Sequence, residues 1–119
     1  MLELHHAPIS TCSQKVRLVL AEKGLQYTSQ VLDLVAGDQH KPEYAALNPS
    51  HVVPTLVHGE RVLLESSLIN GYFEDAFPET PLSPADPYER FEMARWIKKV
   101  DEQVHPWAPV LTFAIGPRF

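Results

Sequence analysis

A serine ahead of an apolar helical repeat is the first feature of this sequence that could do chemistry. Ser66 precedes a set of apolar residues at helical spacing, namely Leu68, Ile69, Tyr72, Phe73 and Ala76. This pattern predicts a helix with Ser66 as its N-cap. The unpaired N–H groups and the positive dipole end of such a terminus favour a carboxylate. Most serines at this position are caps and nothing more, so both interpretations stay open here.

Pro54 is the second such feature, because proline has no backbone N–H and the residues after it are typical of a strand. It therefore belongs at the first strand position or on an edge. A second apolar run at 62–64 follows Gly59-Glu60, which predicts a hairpin with glycine at the first central position of the turn. We predict a cis Val53-Pro54 bond, and the alternative is an ordinary trans turn, since only about 5–6% of such bonds are cis.

The thiol and imidazole groups do not form a recognisable metal-binding pattern. Cys12 is the only cysteine, so it cannot form an internal disulfide, which agrees with a reducing compartment. The histidines are His5, His6, His40, His51, His58 and His105. They contain no HExxH-like pair, and a structural zinc site usually needs more than one thiol. We therefore expect no metal site.

Composition and charge exclude several functional classes. The 119 residues are 45% hydrophobic, which is enough for one domain, or for one domain with a piece of another. A net charge of -5 without a basic patch argues against a nucleic-acid partner. No apolar run approaches the roughly 20 residues that span a bilayer, and the start of the chain lacks a secretion signal. We expect no membrane association and a cytoplasmic location.

The elements that must position these residues alternate along the first two-thirds of the chain. A short strand at Leu2 and Leu4 leads into a helix that starts with a capping-box pattern at Thr11 and stops at Gly24. A strand over 26–32 follows, which a right-handed crossover would make parallel to the first. A polar loop at 37–41, a short helix at 42–47 and a turn at 48–50 lead to the hairpin and the Ser66 helix. The predicted order is βαβ-α-ββα, an α/β fold.

A proline-rich stretch predicts a boundary after the helix that ends at Phe77-Pro78. We predict a first domain over 1–77, a stiff linker over 78–86 and an all-α segment over 87–119. Pro87 fits the first turn of the new helix with Asp86 as N-cap, and Pro106 and Pro109 should interrupt it. The apolar tail from Trp107 to Ile115 exceeds what one helix can bury, so it needs further helices or an oligomer.

Several motifs together make the chain resemble the glutathione transferase superfamily. They are Ser10-Thr11-Cys12-Ser13-Gln14-Lys15-Val16-Arg17, Asn48-Pro49, Val53-Pro54-Thr55-Leu56, Glu65-Ser66 and the helix ending at 72–78. The resemblance implies a thioredoxin-like glutathione-binding domain, a linker and the first part of an all-α C-terminal domain. It also implies a homodimer, since the fourth-helix face commonly forms the dimer interface in this family.

The resemblance further implies which residues bind glutathione. The backbone of Val53, before the cis-proline Pro54, would pair with the cysteinyl part. Glu65 and Ser66 would hold the γ-glutamyl end, with Ser67 assisting. The glycyl carboxylate would contact His51 and His40. Both can equally be ordinary surface-loop residues, and Lys41 would be a stronger anion partner.

Two residues compete for the role of acting on the glutathione thiol. By resemblance to serine-type classes the hydrogen-bond donor is Ser10. By resemblance to the bacterial beta class the acting residue is Cys12, with His105 as the histidine that follows the tryptophan of the fourth helix. Cys12 can equally be a small buried residue of the first helical turn. No tyrosine lies in the first loop, so the tyrosine-type classes are disfavoured.

Three functions follow from this resemblance. The first is a glutathione S-transferase that conjugates the thiolate to a small, apolar, electrophilic substrate, as detoxification enzymes do. The second is a glutathione-dependent thiol-disulfide oxidoreductase that uses Cys12, because thiolates exchange with disulfides and a serine does not. The third is a non-catalytic transferase-like binding module.

Overall fold

The chain folds into two compact units. The structure, a computed structural model, describes residues 1–115. The units are Met1–Pro81 and Leu82–Phe119. Residues 116–119, at the end of the predicted all-α segment, lie outside the described residues, as do the side chains of Phe113 and Ile115 in the predicted apolar tail.

The first unit is built on a mixed four-stranded sheet. Its strands are β1 (Leu2–His6), β2 (Thr28–Val31), β3 (Thr55–His58) and β4 (Arg61–Leu64). They lie in the order β2-β1-β3-β4, with β1 and β2 parallel and the other two pairs antiparallel. The predicted parallel crossover and the predicted hairpin are both confirmed. The fold is the expected thioredoxin-like arrangement of four strands and three helices.

Three helices accompany the sheet: α1 (Thr11–Glu22), α2 (Pro42–Leu47) and α3 (Ser66–Ala76). Helix α1 stops, as predicted, just before Gly24, whose φ of 65° is one that glycine adopts without steric cost. The N–H of Leu25 donates to the carbonyl of Leu20 and that of Gly24 to Ala21, which is a Schellman motif. The core between the helices and the sheet consists of Leu2, Leu4, Val16, Leu20, Leu56, Ile69 and Phe73.

Two of the three predicted N-caps, those of α1 and α3, were wrong by one residue. The cap of α1 is Ser10 and not Thr11, because Ser10 has an extended backbone and its Oγ accepts from the N–H of Ser13 at 3.1 Å. The Gln14 side chain, which a capping box would turn back, donates instead to the carbonyl of Pro8 at 3.0 Å. The cap of α3 is Glu65 and not Ser66, which is the first residue of the helix.

A buried lysine ties the ends of α1 and α3 together. Lys23, whose side chain is 1% exposed, lies 3.1 Å from a carboxylate oxygen of Glu74. Its ammonium also donates to the carbonyls of Phe77 at 3.1 Å and Thr80 at 2.9 Å. The charge is therefore paired and hydrogen-bonded, which burial of a lysine requires.

The second unit is helical over its described part. Helix α4 (Pro87–Lys99) begins as predicted, with the Asp86 carboxylate accepting from the N–H groups of Tyr88 and Glu89, each at 3.0 Å. A π-helical segment (Val100–Val104) and a 3₁₀ turn (His105–Trp107) lead into α5 (Ala108–Ile115). The prediction that Pro109 interrupts a helix is wrong. Pro109 occupies the first turn of α5, where a missing N–H costs little.

The helices of residues 1–115 include none whose length and apolar character would let it cross a membrane.

Candidate functional site

Three loops of the first unit meet at one end of the sheet. The strand register pairs His5 with Thr55, and Thr55 in turn with Leu64. The end of β1, the start of β3 and the end of β4 are therefore neighbours. The loops that leave these positions carry Ser10, the Val53-Pro54 bond and the Glu65-Ser66 pair, so the fold brings the principal predicted site residues to a common end.

Ser10 is both a helix cap and a possible donor. Its Oγ accepts from the N–H of Ser13, and this bond uses only an acceptor lone pair. The hydroxyl hydrogen can therefore be donated to a further group. The Oγ of Ser13 accepts in turn from the N–H of Ala7 at 3.3 Å, which joins the loop to the first turn of α1.

The guanidinium of Arg17 donates hydrogen bonds to the loop that carries Ser10 and to the side chain of His6. It donates to the carbonyls of Ala7 at 3.2 Å and Pro8 at 3.3 Å, and to Nδ1 of His6 at 3.0 Å. Since Nδ1 is then the acceptor, Nε2 of the buried His6 carries the hydrogen and donates to Ser29 Oγ at 2.6 Å. Sequence reasoning missed this role of His6. The sequence signal for this role of His6 was Arg17, the last residue of the Ser10–Arg17 motif.

His6 should make stability depend on pH. Burial, followed by the nearby charges of Arg17 and His5, lowers the pKa of His6 from its ordinary value of 6.5. The unfolded chain then binds a proton more readily than the folded one, so this contribution is complete above pH 6.5 and is lost as the pH falls towards the lowered pKa. We expect the free energy of unfolding, measured in urea, to decrease from about pH 7.5 to about 5.5.

His6→Gln should flatten this pH dependence, because glutamine does not titrate. The control is His40→Gln, which removes an exposed imidazole. An equally steep pH dependence in His6→Gln and in the parent protein would contradict the prediction.

Cys12 is the second residue of α1 and is half-buried. It is thus neither fully exposed nor the fully buried small residue that one interpretation expected. Its part in catalysis stays a prediction.

The Val53-Pro54 peptide bond is cis, as predicted, and Pro54 is buried just ahead of β3. A buried polar network supports it. The Tyr44 hydroxyl donates to the carbonyl of Val52 and lies 2.8 Å from Thr55 Oγ1. The Asn48 amide donates to the same carbonyl at 3.0 Å and to Thr55 Oγ1 at 3.2 Å. Tyr44 and Asn48 were not recognised as site residues from sequence, although Asn48-Pro49 was one of the motifs.

The start of α3 presents backbone N–H groups beside three side chains. Glu65 is exposed and has a φ of 72°, which side-chain-bearing residues rarely adopt. Its carbonyl accepts from the N–H of Ile69 at 2.8 Å, the first bond of the helix. Ser66 is buried, and Ser67 Oγ accepts from Nζ of Lys15 at 2.7 Å. A cation of α1 therefore lies at the N-terminal turn of α3.

The two loop histidines lie against each other. The Nδ1 atoms of His40 and His51 are 2.9 Å apart, so one nitrogen donates and the other accepts. Lys41, the stronger anion partner by charge, is 2.7 Å from Asp38, and this carboxylate raises the pKa of Lys41. His51 also has a positive φ of 56°.

His105 lies in the second unit, at the start of the 3₁₀ turn, and its proposed role stays a prediction. Within residues 1–115, no group of three or more His, Cys, Asp or Glu side chains could hold a metal ion.

Comparison with known proteins identifies the family. The model of the glutathione S-transferase N-terminal domain matches residues 4–81. Glutathione S-transferase 1 of Dianthus caryophyllus is 40% identical over 89 residues, which make up 75% of this chain and 40% of the relative. The chain thus spans well under half the length of this curated relative.

Two solved structures have the same fold over most of the chain. The β-etherase LigF of Sphingobium sp. strain SYK-6 matches with a TM-score of 0.91 and 37% identity, over 97% of this chain and 48% of that one. A glutathione transferase homologue from Sulfitobacter, with bound glutathione, matches with a TM-score of 0.83 and 29% identity, over 88% of this chain and 50% of that one. The family model, the relative and the fold agree, and the chain belongs to the glutathione S-transferase family, in which residues 4–81 form the N-terminal domain.

Proposed function

We propose that this chain binds glutathione and belongs to an enzyme that conjugates the glutathione thiolate to a small, apolar, electrophilic substrate. The observation that carries the proposal is the meeting of the Ser10, Val53-Pro54 and Glu65-Ser66 loops at one end of the sheet. The bound glutathione of the Sulfitobacter homologue supports it. A homodimer, a cytoplasmic location and a role in detoxification belong to the same proposal.

The γ-glutamyl end of glutathione would lie at the start of α3. Its carboxylate would accept from the backbone N–H groups and from the buried Ser66 hydroxyl, since helix N-termini favour anions. Lys15, beside Ser67, adds positive charge at the same turn. The exposed carboxylate of Glu65 would pair with the ammonium group.

The remaining parts of the tripeptide would extend along the other loops. The cysteinyl main chain would pair with the backbone of Val53, next to the cis Pro54. The glycyl carboxylate would lie at the paired imidazoles of His51 and His40 and would accept from Nε2 of the ring whose Nδ1 is the acceptor. This assigns a separate contact to each of the two carboxylates.

The Ser10 hydroxyl would then act on the thiol. A free cysteine-type thiol has a pKa of about 8.5, so little of it is thiolate at neutral pH, and each unit of depression needs about 1.4 kcal/mol. A hydrogen bond from Ser10, strengthened by the bond that its Oγ accepts from Ser13, stabilises the thiolate selectively. With the thiol proton released to water, the thiolate attacks an electrophilic carbon and a carbon–sulfur bond forms, and the electron pair of the bond that breaks goes to its oxygen or halogen.

The similarity to a β-etherase makes aryl ethers one class of electrophile worth testing. Haloarenes and epoxides are the other two. In each case a carbon–oxygen or carbon–halogen bond breaks as the carbon–sulfur bond forms.

A second candidate function is thiol-disulfide exchange at Cys12. It is favoured by the position of the half-buried Cys12 in the first turn of α1, two residues after Ser10. Here the Cys12 thiolate would attack glutathione disulfide, forming a mixed disulfide and releasing one glutathione thiolate.

Calorimetric titration with glutathione tests the binding step. We expect the parent protein to bind glutathione and Ser66→Ala to bind it about 10-fold more weakly, because a hydrogen bond to a charged group is lost. Ser50→Ala, which alters an exposed serine of the turn after α2, is the matched control and should bind like the parent.

Absence of binding heat from the parent protein would contradict the proposed function. Binding without turnover of any of the three electrophile classes, and without a glutathione adduct at Cys12, would instead favour the non-catalytic module.

A further inference from the structure

The hydrogens of the network around Val53-Pro54 can be assigned from its geometry. The single hydroxyl hydrogen of Tyr44 goes to the carbonyl of Val52, so Thr55 must donate its own hydrogen to the Tyr44 oxygen. Asn48 donates one amide hydrogen to the carbonyl of Val52 and the other to Thr55. Both lone pairs of the Val52 carbonyl are then used.

This network holds the chain on both sides of the cis peptide bond. It binds the carbonyl of Val52 before the bond and the side chain of Thr55 after it, and Val53 lies between the two. Tyr44, Asn48 and Thr55 are 6%, 2% and 0% exposed. Water therefore competes little for these bonds, and their geometry fixes where the main chain of Val53 lies.

The Tyr44 hydroxyl, which donates to the Val52 carbonyl, stays protonated at neutral pH. Burial raises the pKa of Tyr44 above its ordinary value of 10.0, while the polar side chains of Thr55 and Asn48 act in the opposite direction. The hydroxyl therefore keeps its hydrogen throughout the neutral range.

We propose that Tyr44 is a positioning residue for glutathione, whose hydroxyl fixes the main chain of Val53 for pairing with the cysteinyl part of the ligand. This inference rests on the proposed function. Tyr44 touches the protein loop and not the ligand. Its effect should therefore be on binding of the cysteinyl backbone and should be independent of the thiol.

The test is Tyr44→Phe, titrated with glutathione and with the thiol-free analogue γ-glutamyl-2-aminobutyryl-glycine. The dissociation constants of both ligands should rise about fivefold and by the same factor, because one neutral hydrogen bond is lost and the thiol takes no part. The matched control is Tyr72→Phe, which removes the 2.7 Å hydrogen bond between its hydroxyl and His58 Nδ1. Tyr72→Phe should bind both ligands like the parent.

Backbone NMR of the ligand-free proteins gives a second readout. The carbonyl resonance of Val52 and the amide resonance of Val53 should shift in Tyr44→Phe but not in Tyr72→Phe, because the Val52 carbonyl loses one of its two hydrogen-bond donors. Unchanged binding of both ligands by Tyr44→Phe, with the parent binding normally, would overturn this inference alone. A parent protein that binds neither ligand would overturn the proposed function and the inference with it.

Discussion

Replacing Ser10 by alanine is expected to lower glutathione-dependent turnover about 100-fold, the scale on which one hydrogen-bond donor to a reacting anion acts. The Ser10 hydroxyl is the donor proposed for the thiolate, and its Oγ already accepts from Ser13. The measurement is kcat at saturating glutathione with haloarene, epoxide and aryl-ether substrates. Its pH profile should shift to higher pH in the variant, because the thiolate is less stabilised.

Ser10 also caps α1, so its loss costs stability of about 1 kcal/mol in addition. Two variants separate the effects. Ser10→Thr keeps both the cap and the hydroxyl and should retain most of the activity. Asp86→Ala removes the cap of α4 at a similar cost and should leave turnover unchanged.

Cys12→Ala decides between the two candidate reactions. If Ser10 acts on the thiol, Cys12→Ala should leave conjugation within about twofold of the parent, since the proposed step does not use it. Full activity of Ser10→Ala, combined with a glutathione adduct at Cys12 seen by mass spectrometry, would contradict the conjugation mechanism and support disulfide exchange.

Replacing Lys23 by methionine is expected to destabilise the first unit by about 3–5 kcal/mol. The buried ammonium of Lys23 is paired with Glu74 and also binds the carbonyls of Phe77 and Thr80. Methionine fills much of the same volume but makes none of these bonds, so the Glu74 carboxylate, whose side chain is 14% exposed, loses its ion pair with Lys23. The destabilisation should be measurable by urea and by thermal unfolding, with a Tm lower by at least about 12 °C.

Lys98→Met is the matched control for this prediction. Lys98 is 2.7 Å from Glu102, but the two side chains are 72% and 59% exposed, so solvent screens the pair. Its removal should change the unfolding midpoint little. A loss of stability in Lys23→Met no larger than that in Lys98→Met would show that burial of the Lys23 pair has no energetic consequence.

Features that depend on neighbouring residues could be predicted from the sequence. Helix α2 has its predicted bounds because Pro42 starts it, and α1 stops at Gly24 because glycine tolerates a positive φ. Pro54 and the hairpin that follows are also read correctly, since proline and glycine restrict the backbone locally. The mixed sheet then follows from the order of the elements.

Features that depend on distant residues could not be predicted. The bond from Lys23 to Thr80 joins residues 57 positions apart, and the contact of Lys15 with Ser67 joins residues 52 apart. Helical periodicity carries no information about pairs of residues so far apart in the sequence. It also cannot locate a cap to within one residue, because Ser10, Thr11 and Ser13 all lie at the start of α1 and the choice of Ser10 depends on its backbone angles.

The positive φ of Glu65 has a consequence for engineering this protein. A non-glycine residue with φ of 72° and ψ of 109° carries backbone strain on the order of 1–3 kcal/mol, which glycine would relieve in part because it has no Cβ. A redesign guided by stability alone would therefore choose glycine at position 65. It would discard the carboxylate proposed to recognise the ammonium group of glutathione, so thermostability and ligand affinity make opposite demands on this one residue.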